Sequence, residues 1–247
     1  MIEKAVAMPR FDPFADMRRL LASERVGVAF DVGGCYGVVA KKFEEIFPEA
    51  RIFSFEPRPD SFETLKRNVL NSPRITPVNL GAYHTPSRMQ LYLNAVPGSS
   101  SLLRRPESAS AYHNPKATHT GTAEVELVRL DEWAAAAGIE CVDLLKLDIQ
   151  GSELNALRGC TGFLRNTKAV YTEVQFFPVY QGACLLDELW SFLRTQGFGL
   201  FQLYSVWGGR DGQLVQGDAL FISDTLRSRV FARGPVASQL YFNGPEW

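Results

Sequence analysis

Hydrophobic positions in this chain alternate between two rhythms. Short apolar runs at residues 26–30, 51–55, 75–80, 142–147, 169–174, 198–204 and 218–222 read as strands. Between several of them the spacing lengthens to that of a helix face. Val39, Phe43, Ile46 and Phe47 form one such face, and Phe62, Leu65, Val69 and Leu70 a second. Leu185, Leu189, Phe192 and Leu193 form a third. Pro48 follows the first helix, Pro73 bars continuation of the second, and Gly197 suits the left-handed residue after the third. Asp131 predicts an N-cap for a helix through Ala137, stopped by Gly138, and a short helix is expected over 151–158, stopped by Gly159. Pro77 cannot donate to a ladder, so the third strand is expected at a sheet edge.

Strands that alternate with helices imply a mainly parallel sheet covered on both faces. The expected fold is α/β, Rossmann-like and doubly wound, with a seven-stranded sheet. Its last two strands, 198–204 and 218–222, form an antiparallel hairpin across the Gly-rich turn near 208–212. An N-terminal extension, 1–25, carries an amphipathic helix over 13–22 that serves as packing, or as a wall over the substrate. A single domain follows over 26–247. Two more strand-like runs, 89–93 and 124–130, flank an insertion at about 94–121 that is rich in Ser, Pro, Gly, Asn and His. Loops of this length are functional or disordered. This one holds His113 and His119.

Open sheets of this class bind ligands beyond the carboxyl ends of their strands. Asp31, Glu56, Ala82, Asp148 and Glu173 stand at those expected ends, and all but Ala82 are acidic. A dinucleotide turn, G-x-G-x-x-G from Gly33, would need glycine where Cys35 and Val38 stand. A nicotinamide-dependent dehydrogenase is therefore the disfavoured alternative. What is present is D-x-G-x-x-x-G, from Asp31 through Gly33 to Gly37. Such a turn suits a nucleoside without phosphates, such as S-adenosylmethionine. Gly33 would let the backbone approach the ligand, and Asp31 would face its ammonium. Glu56, 19 residues after Gly37, would accept from the ribose hydroxyls.

Composition narrows the partners. The formal charge is −1, which gives no global attraction to nucleic acid or an anionic membrane. The four cysteines, Cys35, Cys141, Cys160 and Cys184, form no C-x-x-C pair, so reduced thiols are expected. The first residues lack the apolar core of a secretion signal, and no run approaches the ~18 apolar residues of a membrane span. A cytoplasmic protein without membrane insertion, acting on a small molecule, is the expectation.

The sequence resembles the FkbM-type methyltransferases. DVGGCYG (31–37) with FSFEPRP (53–59), SSSLL (99–103), LLKLDIQGSELNALRGC (144–160) and the stretch YTEVQFFPVYQGACLLDELWSFLRTQGFGLFQL (171–203) with GDALFIS (217–223) carry the likeness. The resemblance implies a class I methyltransferase fold and methyl transfer from S-adenosylmethionine to a hydroxyl of a sugar, glycolipid or polyketide-type acceptor. Cys35 departs from the Asn that this family often has, so a contact to the cofactor's amino-acid head is either lost or made by the backbone. A silent S-adenosylmethionine-binding module is the non-enzyme alternative.

Hydroxyl acceptors need a base. Asp148 is the first candidate, Glu173 the second and His84 the third. Glu153 sits where a carboxylate suits a helix start. Asp148 and Glu173 could hold Mg²⁺, but no ligand motif favours it, and no metal is expected. Ser100, in the Ser-rich turn 98–101, is expected to touch cofactor or acceptor. Phe176, Phe177, Tyr180 and Trp207 suit an acceptor pocket or the core. Arg104 and Arg105 would meet an anionic acceptor, although a solvated pair is the simpler expectation.

Overall fold

The computed structural model describes residues 12–112 and 114–232. His113, residues 1–11 of the expected extension and residues 233–247 lie outside the described residues.

Helix α1, Pro13–Leu20, begins on Asp12, whose carboxylate accepts from the Phe14 amide at 2.9 Å. Then follow β1 (Val28–Val32), α2 (Val38–Ile46), β2 (Arg51–Phe55), α3 (Pro59–Asn68) and β3 (Ile75–Val78). Three strands come next, β4 (Gly81–Ala82), β5 (Ser87–Asn94) and β6 (His119–Val128), with 3-10 turns at Pro97–Ser99 and Glu107–Tyr112. The chain resumes its alternation with α4 (Leu130–Ala136), β7 (Leu144–Leu147), α5 (Glu153–Arg158), α6 (Thr161–Leu164) and β8 (Ala169–Gln175). It continues through α7 (Leu186–Thr195), β9 (Phe198–Gly208), β10 (Leu214–Ser223) and α8 (Asp224–Ala232).

Seven strands form one sheet in the order β3-β2-β1-β7-β8-β10-β9. β1 pairs in parallel with β2 and β7, while β10 runs antiparallel to both β8 and β9. This is the expected mainly parallel sheet with its closing hairpin, and Pro77 lies on the edge strand as its missing N–H requires. The two extra runs do not join this sheet. β5 and β6 pair antiparallel with each other, and β4 pairs with β6, in a separate three-stranded sheet.

Apolar side chains bury both faces. On one face Phe30 meets Phe53, Phe55, Trp133 and Phe163 at ring distances of 5.2–5.7 Å. On the other, Met17 and Leu20 of α1 pack with Phe43, Leu65 and Leu226. The α1 helix is thus part of the core of the main domain, because its apolar side covers the sheet.

Several boundaries move. β1 extends two residues past the expected end, so Asp31 lies inside a strand. β8 likewise contains Glu173. Asp131 does not cap its own helix; it lies inside α4, and its carboxylate accepts from Gly162 and Phe163 amides at the start of α6. Neither α6 nor α8 was expected, since each is short or weakly amphipathic. Among the described residues, no helix is long and apolar enough to cross a membrane.

Candidate active site

Strand register sets the site. Val32 stands opposite Phe55 on one side and Leu147 on the other. The next residues, Gly33, Glu56 and Asp148, therefore leave the sheet side by side. Connections diverge here, with β2 and β3 to one side of β1 and β7 to the other. That is the switch point where open α/β sheets bind ligands.

A cleft opens there. Its free interior is about 70 Å³, widening to about 620 Å³ with its mouth included. Gly33, Cys35 and Glu56 form one wall, and Asp148, Ile149 and Gln150 the facing one. Ala82 contributes from the small sheet, and Pro97, Gly98 and Ser100 from the inserted segment.

Glu56 is held hard. One oxygen accepts the Cys35 amide at 2.8 Å and the other accepts the Arg58 amide at 2.8 Å. Burial nevertheless pushes its carboxyl up to about 7. Gly33 has φ +80°, and a Cβ there would lie 1.9 Å from the Asp148 carbonyl oxygen. Glycine is required because the β1 and β7 turns touch at this point. Gly37 also has positive φ, but it packs under Leu65 at the start of α2 and is not on the cleft wall. The Cys35 thiol is pushed up to about 11 by burial and by Glu56, which keeps it neutral.

Asp31 has a different environment from the one its position suggested. It is fully buried, its Oδ2 accepts from Ser54 Oγ at 2.8 Å, and Lys146 Nζ lies 3.1 Å from its Oδ1. Its side chain is not on the cleft wall. Lys146 also donates to the Gly33 carbonyl at 2.7 Å and lies 4.0 Å from Asp148 Oδ2. A buried cation thus ties the glycine turn to the opposite wall. The sequence signal for it was a lone lysine inside an apolar strand.

The three expected base candidates separate. Asp148 lines the cleft with its side chain 42% exposed. Glu173 is buried behind it and is absent from the wall. Its Oε1 accepts from Gln150 Nε2 and Gln216 Nε2, both at 2.8 Å. Burial, then the charges of Asp148, Glu153 and Asp218, hold its carboxyl well above the usual range. A carboxyl buried away from the cleft does not reach an acceptor's proton. His84 is exposed on the turn after β4, against Tyr83 at 4.3 Å, and also stands off the wall.

Gln150 joins these groups. Its backbone is left-handed, with φ 60°. Its Nε2 donates to Asp148 Oδ1 at 3.0 Å as well as to Glu173, and its Oε1 lies 2.6 Å from the Tyr180 hydroxyl. Glu153 holds this loop from below, accepting from the Ile149 and Gly151 amides. Asp148 and Glu173 therefore share an amide. Among the described residues no group of three or more His, Cys, Asp or Glu is placed to hold a metal.

Arg58 anchors the inserted segment. Its guanidinium grips Asp60 with two hydrogen bonds and donates to the Asn94 carbonyl and to Ser100 Oγ. Ser101 Oγ donates to the Gln150 carbonyl at 2.8 Å. The Ser-rich turn is thus a strap across the cleft, closed by Arg58 on one side and the Gln150 loop on the other. Arg58 escaped notice in the sequence because an Arg beside Asp reads as a surface residue.

Known proteins with related sequences point the same way. The profile of the Methyltransferase FkbM domain matches residues 31–200. The 2-O-methyltransferase NoeI of Sinorhizobium fredii is 29% identical over 176 residues, which cover 67% of this chain and 72% of that protein. The hexuronic acid methyltransferase AglP of Haloferax volcanii is 28% identical over 162 residues, covering 64% of this chain and 61% of that protein. The crystal structure of precorrin-6y C5,15-methyltransferase from Geobacter metallireducens superposes with a TM-score of 0.47 at 10% identity, over 89% of this chain and 91% of that one. At that score the fold rests on the strand order itself. With the match covering residues 31–200 and the strand-end cleft inside it, this chain belongs to the FkbM methyltransferase domain family.

Proposed function

We propose that this chain transfers a methyl group from S-adenosylmethionine to a hydroxyl oxygen of a sugar-type small molecule. The observation that carries this reading is the cleft at the switch point, where Gly33 and Glu56 face Asp148. The names of the two relatives, a 2-O-methyltransferase and a hexuronic acid methyltransferase, support the oxygen and the sugar.

The residues present fit the cofactor. Each Glu56 oxygen accepts one backbone N–H and keeps a further lone pair for a ribose hydroxyl. The bare Gly33 backbone lets the β1 and β7 turns meet at the cleft. Asp31 acts at one remove, since its charge is matched by Lys146 and it supports the turn. Bound S-adenosylmethionine supplies a methyl already activated by its sulfonium.

The chain's own work is then positioning and proton removal. Orientation of reacting atoms is worth roughly 7–11 kcal/mol of barrier. Asp148 accepts the hydroxyl proton, with Gln150 fixing one oxygen and Lys146 near the other. The strap of residues 97–101 limits water at the reacting atoms. The test is incubation with methyl-labelled S-adenosylmethionine and a panel of sugars with free hydroxyls, read by mass spectrometry. Label on a sugar oxygen is expected. No transfer to any hydroxylated acceptor, by protein that binds S-adenosylhomocysteine, would reject the reading.

A further inference from the structure

A second cavity, of about 380 Å³, lies on the far side of the strap. Tyr92, Arg104, Arg105, Glu107, His119 and Tyr180 line it together with Asn94 and Leu103. It shares a wall with the cleft. Ser100 lines the cleft, and its Oγ accepts the amide of Asn94, which lines the second cavity. The Tyr180 hydroxyl reaches Gln150 Oε1 at 2.6 Å, and Gln150 in turn holds Asp148. The floor of this cavity is therefore two hydrogen bonds from the proposed base.

Its charge is unbalanced. Arg105 is half-buried, lies 5.0 Å over the Tyr180 ring, and donates to the Ala117 carbonyl and the Tyr180 hydroxyl. Its Nε is buried with no hydrogen-bond partner. Among the described residues, neither Arg105 nor the exposed Arg104 has a carboxylate within 4.0 Å. Glu107, on the same wall, stays outside ion-pair distance of both and leaves two cations against one anion. A partly buried guanidinium without a counter-charge gains from an anion that completes it. Planar forks of this kind match carboxylates and phosphates. The aromatic ring of Tyr92 gives an apolar face for a sugar ring.

We propose that this cavity seats the anionic group of the acceptor, a sugar bearing a carboxylate or a phosphate, with Arg104 and Arg105 as its anchors. The inference rests on the methyl-transfer reading for the acceptor's role, while the anion site itself is defined by the cavity.

Isothermal titration of the full chain tests it, with and without saturating S-adenosylhomocysteine. The probes are glucuronate, glucose 6-phosphate and glucose. At least one anionic sugar is expected to bind about tenfold tighter than glucose or better, and which one does so separates carboxylate from phosphate. Arg104→Gln and Arg105→Gln are each expected to weaken that binding at least about tenfold while leaving S-adenosylhomocysteine affinity unchanged. Arg104 is exposed, so its variant keeps the test valid even if the Arg105 variant fails to fold. Equal affinity for glucose, unchanged anion affinity in Arg104→Gln, or no binding of either anionic sugar overturns the proposal. Loss of S-adenosylhomocysteine binding by the wild type instead overturns the donor site, and the sugar titrations still stand.

Discussion

Asp31 and Lys146 stand directly opposite each other on adjacent parallel strands, with Lys146 Nζ 3.1 Å from Asp31 Oδ1. Ser54 faces Asp31 from the other side, so three polar residues form a row across the middle of an apolar sheet. Lys146 is 4% exposed and Asp31 is fully buried. The pair supports the cleft from beneath, because the same ammonium binds the Gly33 carbonyl.

Removal of one partner leaves a buried charge unmatched. Lys146→Met is expected to destabilise the protein by about 3–5 kcal/mol. The double variant Asp31→Asn with Lys146→Met should recover most of that loss. Urea unfolding of the two proteins measures both, and equal stability of single and double variants would contradict the pairing.

Asp148→Asn should lower kcat by about 10²–10⁴-fold, the usual contribution of a positioned base. S-adenosylhomocysteine affinity should change little, because the amide keeps the contact with Gln150 after a flip of its oxygen. Glu173→Gln, by contrast, should keep most of the turnover, since Glu173 stands off the cleft. The reverse ranking in single-turnover assays would move the base to Glu173.

Cofactor affinity should depend on pH through Glu56. Its carboxyl is raised to about 7 by burial, and the ionised form is the one that accepts from hydroxyls. Affinity for S-adenosylhomocysteine is expected to rise as pH increases through about 7, and Glu56→Gln should lose this dependence along with affinity. A flat profile in the wild type would refute the role.

Stability should run the opposite way. Glu56 and Glu153 are both raised from 4.5 to about 7 in the folded protein, chiefly by burial. Between those values the folded state holds protons that the unfolded chain has released. Their stabilising effect is complete below about pH 4.5 and is lost as pH rises through about 7. Glu153→Gln keeps an acceptor for the Ile149 and Gly151 amides and should flatten that part of the melting-temperature profile.

Gly33→Ala tests the contact between the two turns. The added carbon would lie 1.9 Å from the Asp148 carbonyl at a positive φ. A loss of more than about 1 kcal/mol is expected, together with weakened S-adenosylhomocysteine binding. Gly212→Ala, also at positive φ but with nothing within 4 Å, should show only the backbone part.

Local chemistry was enough to read most of the scaffold. Apolar period, prolines and glycines placed the alternating elements, the edge strand at Pro77 and the left-handed stop at Gly197, whose φ is +81°. The same signals placed the glycine turn and Glu56 at adjacent strand ends. They did so because each depends on neighbours a few residues away. Tertiary structure decided where the polar side chains of the strands went. Asp31 and Glu173 looked like residues at strand tips, yet both lie inside strands, and the partners that claim them come from distant sequence. Lys146 is 115 positions from Asp31, and Gln216 is 43 from Glu173. Only strand order and register bring such groups together, and burial then fixes their protonation. Asp148 alone among the expected bases escapes into the cleft, because it is the first residue past its strand.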